Sequence, residues 1–558
     1  MPLHFYKPPD SDPVPAPAAP PDEDKAASAK TTGIVALAIM CSRVLGLIRD
    51  MLFAALFPEK IRDCFIAAFR FPNMLRDLFA EGALSTAFVT VFAQKLKLEG
   101  EKSAWVLAHR MLSLAVVFMS GISLLGVLVA PVLMPVLLYG WTDAPEWKLD
   151  FTVLLTQIMY PFILLVSLAA LVMGILNSRK IFGIPAMASS FFNIGSIVGG
   201  WLLGCLLEGR FTLSEMGWKG MIGFSIGTLT GGLAQLGVQL PALFRTGCGF
   251  RFTRDWKHPD VKRILQLMWP AVVAGSAVQV SVFLNTFFAT SLPEKDGPVS
   301  WLNNSFRLMQ LPLGVFGVAV ATVTLPIIAR AATDGVTPAF RGALARGNRL
   351  VAFLTLPSAI GLFILAHPII SVLYERGQFD GVETAQTAGA LRWYAVGLIF
   401  YAQIKVIQPA FTAINQRMLP MYVSLAAMVL NVGLNSLFVF VLHKDHTWLA
   451  LTTAVMALFN WGTLYWLLAR KSGGLQTQTL VDTIRRLLPG VLALAAVSFT
   501  AWHWIMEPRW QHSGFVARAS MLGLVIAAAG TAYMILAHIC RVDEAKQFMD
   551  IAGRKLRR

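Results

Sequence analysis

WVLAHRMLSLAVVFMSGISLLGVLVAPVLMPVLLY, residues 105–139, decides what kind of molecule this is. After Arg110 it carries no charged residue. A helix rises about 1.5 Å per residue, so the run is long enough to cross the ~30 Å of hydrocarbon in a bilayer. A membrane barrel would instead show segments of ~10 residues alternating apolar and polar. Comparable runs recur along the chain, which has 558 residues, 56% hydrophobic and only 14% charged. Its mean hydropathy is +0.62. Soluble proteins carry about 25% charged residues, so this composition would leave a soluble fold unable to cover its surface. The expected fold is all-α and polytopic.

Working outward from that run, the pattern gives about fourteen spans: 32–57, 63–95, 105–139, 151–177, 183–207, 219–244, 264–291, 299–330, 348–373, 386–412, 420–442, 447–469, 485–506 and 515–540. Alternate loops are basic, holding Lys95, Lys97 and Lys102, then Arg179 and Lys180, then Arg251, Arg254, Lys257, Lys262 and Arg263, then Arg341, Arg346 and Arg349. The intervening loops carry acids such as Asp143, Glu146, Glu208, Glu294, Glu375 and Asp380. The net charge of +16 is therefore read as positive-inside bias rather than as nucleic-acid affinity. It places both termini in the cytoplasm. Residues 1–31 read as a disordered cytoplasmic leader, with no apolar signal-peptide core. Residues 32–244 form an N-lobe of six spans and 264–470 a C-lobe of six. Between them, 245–263 is an amphipathic basic linker suited to an anionic membrane surface. Residues 471–541 add two spans and 542–558 a basic tail. The segment 67–92 resembles 304–328, each with a Phe-Arg pair at the head of a helix. Internal repeats of this kind put a transporter's substrate site between its lobes.

Ionisable residues inside a span each cost about 2.5–3.5 kcal/mol on insertion scales, so they mark a polar cavity or a partner. Here they concentrate in four spans. Span one has Arg43, Arg49 and Asp50; span two has Asp63, Arg70, Arg76, Asp77 and Glu81; span eight has Arg307; span ten has Lys405. Gly46 would let span one bend, and Pro72 is expected to break the ladder of span two just after Arg70. Arg70, Asp77 and Glu81 share one stripe, so part of that charge is expected to pair internally. Arginines in excess over acids suit phosphate or pyrophosphate, whose oxygens match the guanidinium fork. Arg62 and Arg110 read as interfacial. The five cysteines lack metal-site spacing. No protease, hydrolase or nucleotide-binding signature appears. The chain is thus expected to be a transporter and not an enzyme, with no cofactor and no metal. Its energy would come from an ion gradient or the membrane potential.

SRVLGLIRD at 42–50 and FRFPNMLRDLFAEGALSTAFV at 69–89 resemble the signature of the MurJ/MviN family, within the superfamily of multidrug, oligosaccharidyl-lipid and polysaccharide exporters. VSWLNNSFRLMQLPLGVFGVAVATVTLPII at 299–328 extends the match. The resemblance implies a lipid II flippase of the bacterial inner membrane. It would move the undecaprenyl-pyrophosphate-linked peptidoglycan precursor by alternating access. It implies a pyrophosphate site of Arg43, Arg49, Arg76 and Arg307, with Asp63 a cavity acid near the outer rim. Arg70, Glu81, Ser300 and Lys405 match further family positions. The two last spans would form the groove for the polyprenyl tail. Membrane lipids are the other partners, the chain is expected to be monomeric, and further cell-wall synthesis proteins are left open. Two departures stand out. Phe306 precedes the span-eight arginine where relatives often have an acid. After span ten the chain reads Asn415-Gln416-Arg417-Met418-Leu419-Pro420, which puts the sodium site of some relatives in doubt. A polysaccharide-lipid flippase is the alternative within the superfamily, and a non-transporting membrane scaffold the alternative outside it.

Overall fold

A computed structural model of the chain describes residues 22–78, 84–332, 335–416, 418–546 and 549. Among these residues there are helices and no strand. In the N-terminal half the helices are α1 (Asp22–Leu56), α2 (Glu59–Leu75), α3 (Ser85–Leu98), α4 (Glu101–Leu137), α5 (Glu146–Met159), α6 (Phe162–Ser178), α7 (Gly183–Glu208), α8 (Trp218–Gly237) and α9 (Leu240–Arg245). The second half has α10 (Pro259–Thr290), α11 (Pro298–Pro312), α12 (Val318–Ala331), α13 (Pro338–Ile364), α14 (Ala366–Tyr374), α15 (Gly381–Ala413), α16 (Met418–Ser436), α17 (His446–Ser472), α18 (Thr477–Thr500), α19 (Glu507–Trp510) and α20 (Phe515–Ile539). A helix or a broken pair of helices lies over each expected span. Among the described residues, nine helical runs are long and apolar enough to cross a membrane, fewer than the fourteen expected. The charged α1, α2 and α11 are not among the nine.

Three local features depart from the sequence reading. Helix α1 starts at Asp22, so 22–31 belong to it rather than to a disordered leader. That stretch is alanine-rich, which favours helix. Residues 1–21 lie outside the described residues. Pro72 does not end α2, which runs on to Leu75 before π turns at 76–78. Span eight is also interrupted, by a π segment at Leu313–Gly317 directly after Pro312. Proline lacks the N–H that an unbroken ladder needs, so a distortion there has a local cause. Arg70 and Arg307 are aligned in the repeat, and each is followed six residues later by the first π turn. The faint sequence repeat thus coincides with a shared break.

The linker has no helix between Arg245 and Pro259. It is a strap across α4. His109 Nε2 donates to the Gly249 carbonyl, Thr253 N–H donates to Ser113 Oγ at 3.0 Å, and Arg110 pairs with Asp255. Phe250 and Phe252 remain exposed on it. The start of α10 then docks on the N-lobe, through a 2.5 Å pair between Lys95 and Asp260 and through Val261 and Ile264 in the same core as Phe88 and Leu107.

The cores show how the lobes meet. At the Lys95 end they are separate, one around Phe88, Phe92 and Leu176, the other around Phe340, Leu344 and Ile407. At the Asp63 end a single core joins Met134, Trp141 and Tyr160 to Phe288, Leu302, Tyr394 and Leu449. Helices α18 and α20 pack beside the C-lobe through Leu487, Leu494 and Tyr533, which face Phe353. Arg518 of α20 pairs at 2.9 Å with Glu375 in the loop after α14. Burial pushes the Glu375 carboxyl up, but hydrogen bonds from Ser371, Arg518 and Thr384 outweigh it and hold the group below its ordinary value.

Candidate functional site

The joint end of the lobes is fastened by a set of polar contacts. Asp63 near the start of α2 is fully buried. Its Oδ2 accepts from Gly297 N–H at 2.7 Å and its Oδ1 from Ser300 N–H at 2.8 Å, with Ser300 Oγ–H as a further donor. These are backbone donors at the start of α11, which no intrahelical acceptor can reach. Asp63 therefore caps a helix of the opposite lobe, and its negative charge suits the positive end of that helix. Gly297 sits at φ 102°, a conformation that favours glycine. Beside it, Arg62 is 1% exposed and ion-paired with Glu383 at the start of α15. The guanidinium also lies 5.1 Å from the Phe379 ring centroid. Lys148 pairs with Asp296 at 2.6 Å, and Gln378 N–H donates to the Ala55 carbonyl at 3.0 Å. Together these contacts form a latch between the lobes.

Directly beneath the latch is a cavity of about 130 Å³, whose lining includes Arg49, Asp50, Arg62, Arg70, Asn303 and Arg307. Arg307 pairs with Asp50 across the lobes. Arg49 leans on the same carboxylate at 3.3 Å and lies 5.8 Å from the Phe192 ring centroid. Arg70 Nη2 donates to Asn303 Oδ1 at 3.3 Å, while its buried Nε has no partner. Two guanidinium groups thus meet on one carboxylate between the lobes, with Arg62 and Arg70 lining the same cavity. The surplus of positive charge and of N–H donors is what a multiply charged phosphate ester requires. Arg43 approaches from α1 and fills the space beside Gly314. A Cβ built there would lie 1.7 Å from Arg43 Nη1.

The expected site residues therefore separate into groups. Arg49, Arg70 and Arg307 converge. Asp63 and Ser300 are not cavity-lining; they are buried in the latch, because the start of α11 leaves its N–H groups without an acceptor until Asp63 meets them. Arg76 pairs at 2.8 Å with Asp77, which also accepts from Gln279 at 3.2 Å. Asp77 thus pairs with Arg76 and not with Arg70, which meets Asn303 instead. Glu81 lies outside the described residues. Lys405 is exposed to a different cavity, inside the C-lobe. Arg62, expected at the interface with lipid headgroups, is instead the buried half of the latch pair. No local signal points to it, because Glu383 lies in another lobe. Arg110 is partly buried against the strap. Among the described residues no group of His, Cys, Asp and Glu could hold a metal ion.

Comparison with known proteins agrees with this architecture. Residues 52–521 match the family model described as lipid II flippase MurJ. The probable lipid II flippase MurJ of Bdellovibrio bacteriovorus is 32% identical over 539 residues, spanning 94% of this chain and 98% of the relative. The lipid II flippase MurJ of Burkholderia cenocepacia is 33% identical over 440 residues, spanning 78% and 82%. A solved lipid II flippase MurJ in an inward closed conformation superposes with a TM-score of 0.70 at 23% identity, over 89% of this chain and 98% of the other. An inward-facing multidrug resistance transporter of the MATE family, from the MOP superfamily, gives 0.63 at 15% identity, over 79% and 98%.

Proposed function

We propose, from the premise that the chain belongs to the lipid II flippase MurJ family, that it moves lipid II from the cytoplasmic to the periplasmic leaflet of the bacterial inner membrane through the arginine-lined cavity between its lobes. The observation that carries this reading is the gathering of Arg49, Arg70 and Arg307 in one cavity beneath the latch, where Arg49 and Arg307 meet on Asp50. Bare hydrocarbon presents a prohibitive barrier to a multiply charged headgroup. A preorganised set of donors replaces its hydration. The positive-inside bias puts the Lys95 end in the cytoplasm, both termini with it, and the latch on the periplasmic side. Termini on one side require an even number of spans, in keeping with the proposed fourteen in two lobes of six plus two.

The mechanism is alternating access. The headgroup enters from the cytoplasmic leaflet while its polyprenyl tail stays in lipid, beside α18 and α20. Pyrophosphate competes with Asp50 for Arg307 and Arg49, freeing a contact that spans the lobes. Rearrangement of that contact couples occupancy to the latch above it. Asp63 then leaves the start of α11, Arg62 leaves Glu383, and the headgroup exits. An ion gradient or the membrane potential resets the cycle, with no cofactor.

The test is lipid II accessibility in cells depleted of the protein, read with an enzyme that cleaves lipid II only from the periplasmic face. The expected result is protection on depletion and restored cleavage when the gene is supplied again. Unchanged cleavage on depletion, in a strain with no other lipid II flippase, would refute the assignment and turn attention to polysaccharide-lipid export.

A further inference from the structure

The C-lobe contains a second cavity, of about 280 Å³. It is not an extension of the arginine site, because α11 stands between the two. Val299, Leu302 and Phe306 face the second cavity, whereas Asn303 and Arg307 face the first. The i, i+3 and i+4 spacing of the first set, and the i+4 spacing of the second, put them on separate faces of one helix. Arg70 alone among the arginines lines both cavities. It sits where a single extended molecule would pass from one to the other.

The two cavities have different chemistry. The first gathers guanidinium groups around a carboxylate. The second has apolar walls dotted with neutral polar groups, among them Asn285, Tyr401, Gln408, Ser424 and Asn460. It carries one further cation, Lys405, which is exposed to it and has no ion-pair partner among the described residues. Asn460 donates to Ser424 Oγ at 3.3 Å but leaves its buried Oδ1 without a donor. Arg70 Nε is likewise a buried donor without an acceptor. An unpaired buried polar atom is costly unless a ligand or water meets it. Mostly apolar walls with a few placed polar groups are the usual lining of a small-molecule site. Phe306 contributes to this wall, packed edge-on against Tyr394 with ring centroids 5.3 Å apart. An acid at that position would set a negative charge in the chamber that also holds Lys405.

Resting on the flippase reading, we propose that this second chamber receives the peptide arm of the headgroup, with Lys405 as the counter-ion of a peptide carboxylate and Asn460 accepting from a peptide N–H. The pyrophosphate stays with Arg49 and Arg307, and Arg70 spans the junction. The chemical fit is specific to a short peptide of small residues. Its methyl groups match the apolar wall, its amides match the scattered Asn, Gln and Ser groups, and its carboxylates need a cation. A purely hydroxylic sugar would have no use for Lys405, and the pyrophosphate already has Arg49 and Arg307 in the first cavity.

The experiment measures binding of two lipids to the full-length protein in detergent: lipid II, and the same polyprenyl-pyrophosphate disaccharide lacking the peptide. The wild-type chain is expected to bind lipid II more tightly. Lys405→Ala and Asn460→Leu should each weaken lipid II by roughly tenfold or more, as loss of a charged or buried hydrogen bond does. Both should leave the peptide-free lipid unchanged. Lys405→Arg should retain the preference, which a purely structural role for the side chain would not require. Arg307→Ala should weaken both lipids alike. The proposal is overturned if Lys405→Ala weakens both lipids equally or neither. If the wild type binds neither lipid, the flippase reading falls and takes this one with it. If it binds both equally and the Lys405 and Asn460 variants are silent, only the chamber assignment falls.

Discussion

At the scale of single residues, the sequence already singles out the arginines, because a charge inside an apolar run is conspicuous wherever it falls. Their partners are not legible in the same way. Arg307 meets Asp50 from 257 positions away, a pairing that only the fold creates. Arg307→Ala is expected to leave Asp50 with Arg49 as its ion-pair partner, to break the contact that spans the lobes and to remove one cation from the site. Lipid II transport should fall by roughly tenfold to a hundredfold, with membrane insertion intact. Arg307→Lys should fall between, since an ammonium lacks the guanidinium fork. Growth of a strain relying on the alanine variant, at the wild-type rate, contradicts this role. Gly314 makes a sharper case. Its missing side chain leaves room for the Arg43 guanidinium. In a helical setting, alanine is normally more stable than glycine by about 0.5–1 kcal/mol, and the end of a flexible arginine is easily pushed aside. Gly314→Ala is therefore expected to hold or slightly raise the melting temperature while transport drops. A variant that unfolds earlier, or that transports normally, shows that Arg43 is not seated by this glycine.

At the scale of elements, the spans are legible because apolar length is a property of local sequence. The breaks inside them are less so. Pro72 suggests a break in span two, yet the ladder yields one turn later, at 76–78, and Pro312 is followed by the same π distortion. Proline weakens the ladder locally, but the residue at which the ladder yields is not written in the proline itself. The latch was hidden for a related reason. Asp63 and Arg62 look like ordinary charges at the head of a helix, and nothing nearby in sequence names α11 or Glu383 as their counterparts. The buried pair has a testable energetic signature. Removing one partner of a buried ion pair costs about 3–5 kcal/mol, whereas replacing both with apolar residues is often neutral. Glu383→Ala is expected to lower the melting temperature markedly, because Arg62 is left charged and buried. Arg62→Leu combined with Glu383→Leu should recover most of that loss. Equal destabilisation by the single and double variants would mean that the two side chains do not act as a pair.

At the scale of the whole molecule, the two lobes share one core at the Asp63 end and keep separate cores at the Lys95 end. That asymmetry defines a direction. Packed interfaces tend to be bistable rather than continuously deformable, so the shared end either holds or releases as a unit. The arginine cavity lies immediately under it, which makes the latch the barrier between that cavity and one aqueous face. Asn303 lines the cavity beside Arg70, so a thiol there reports on the barrier. In a background stripped of the native cysteines, Asn303→Cys should react slowly with a membrane-impermeant thiol reagent added to the periplasmic face. Adding Glu383→Ala should release the latch and speed that reaction several-fold. Lipid II bound in the cavity should slow it again, because the headgroup and the reagent compete for the same space. Fast labelling from the periplasmic face without the latch variant would place the barrier elsewhere, and with it the direction in which the cavity opens.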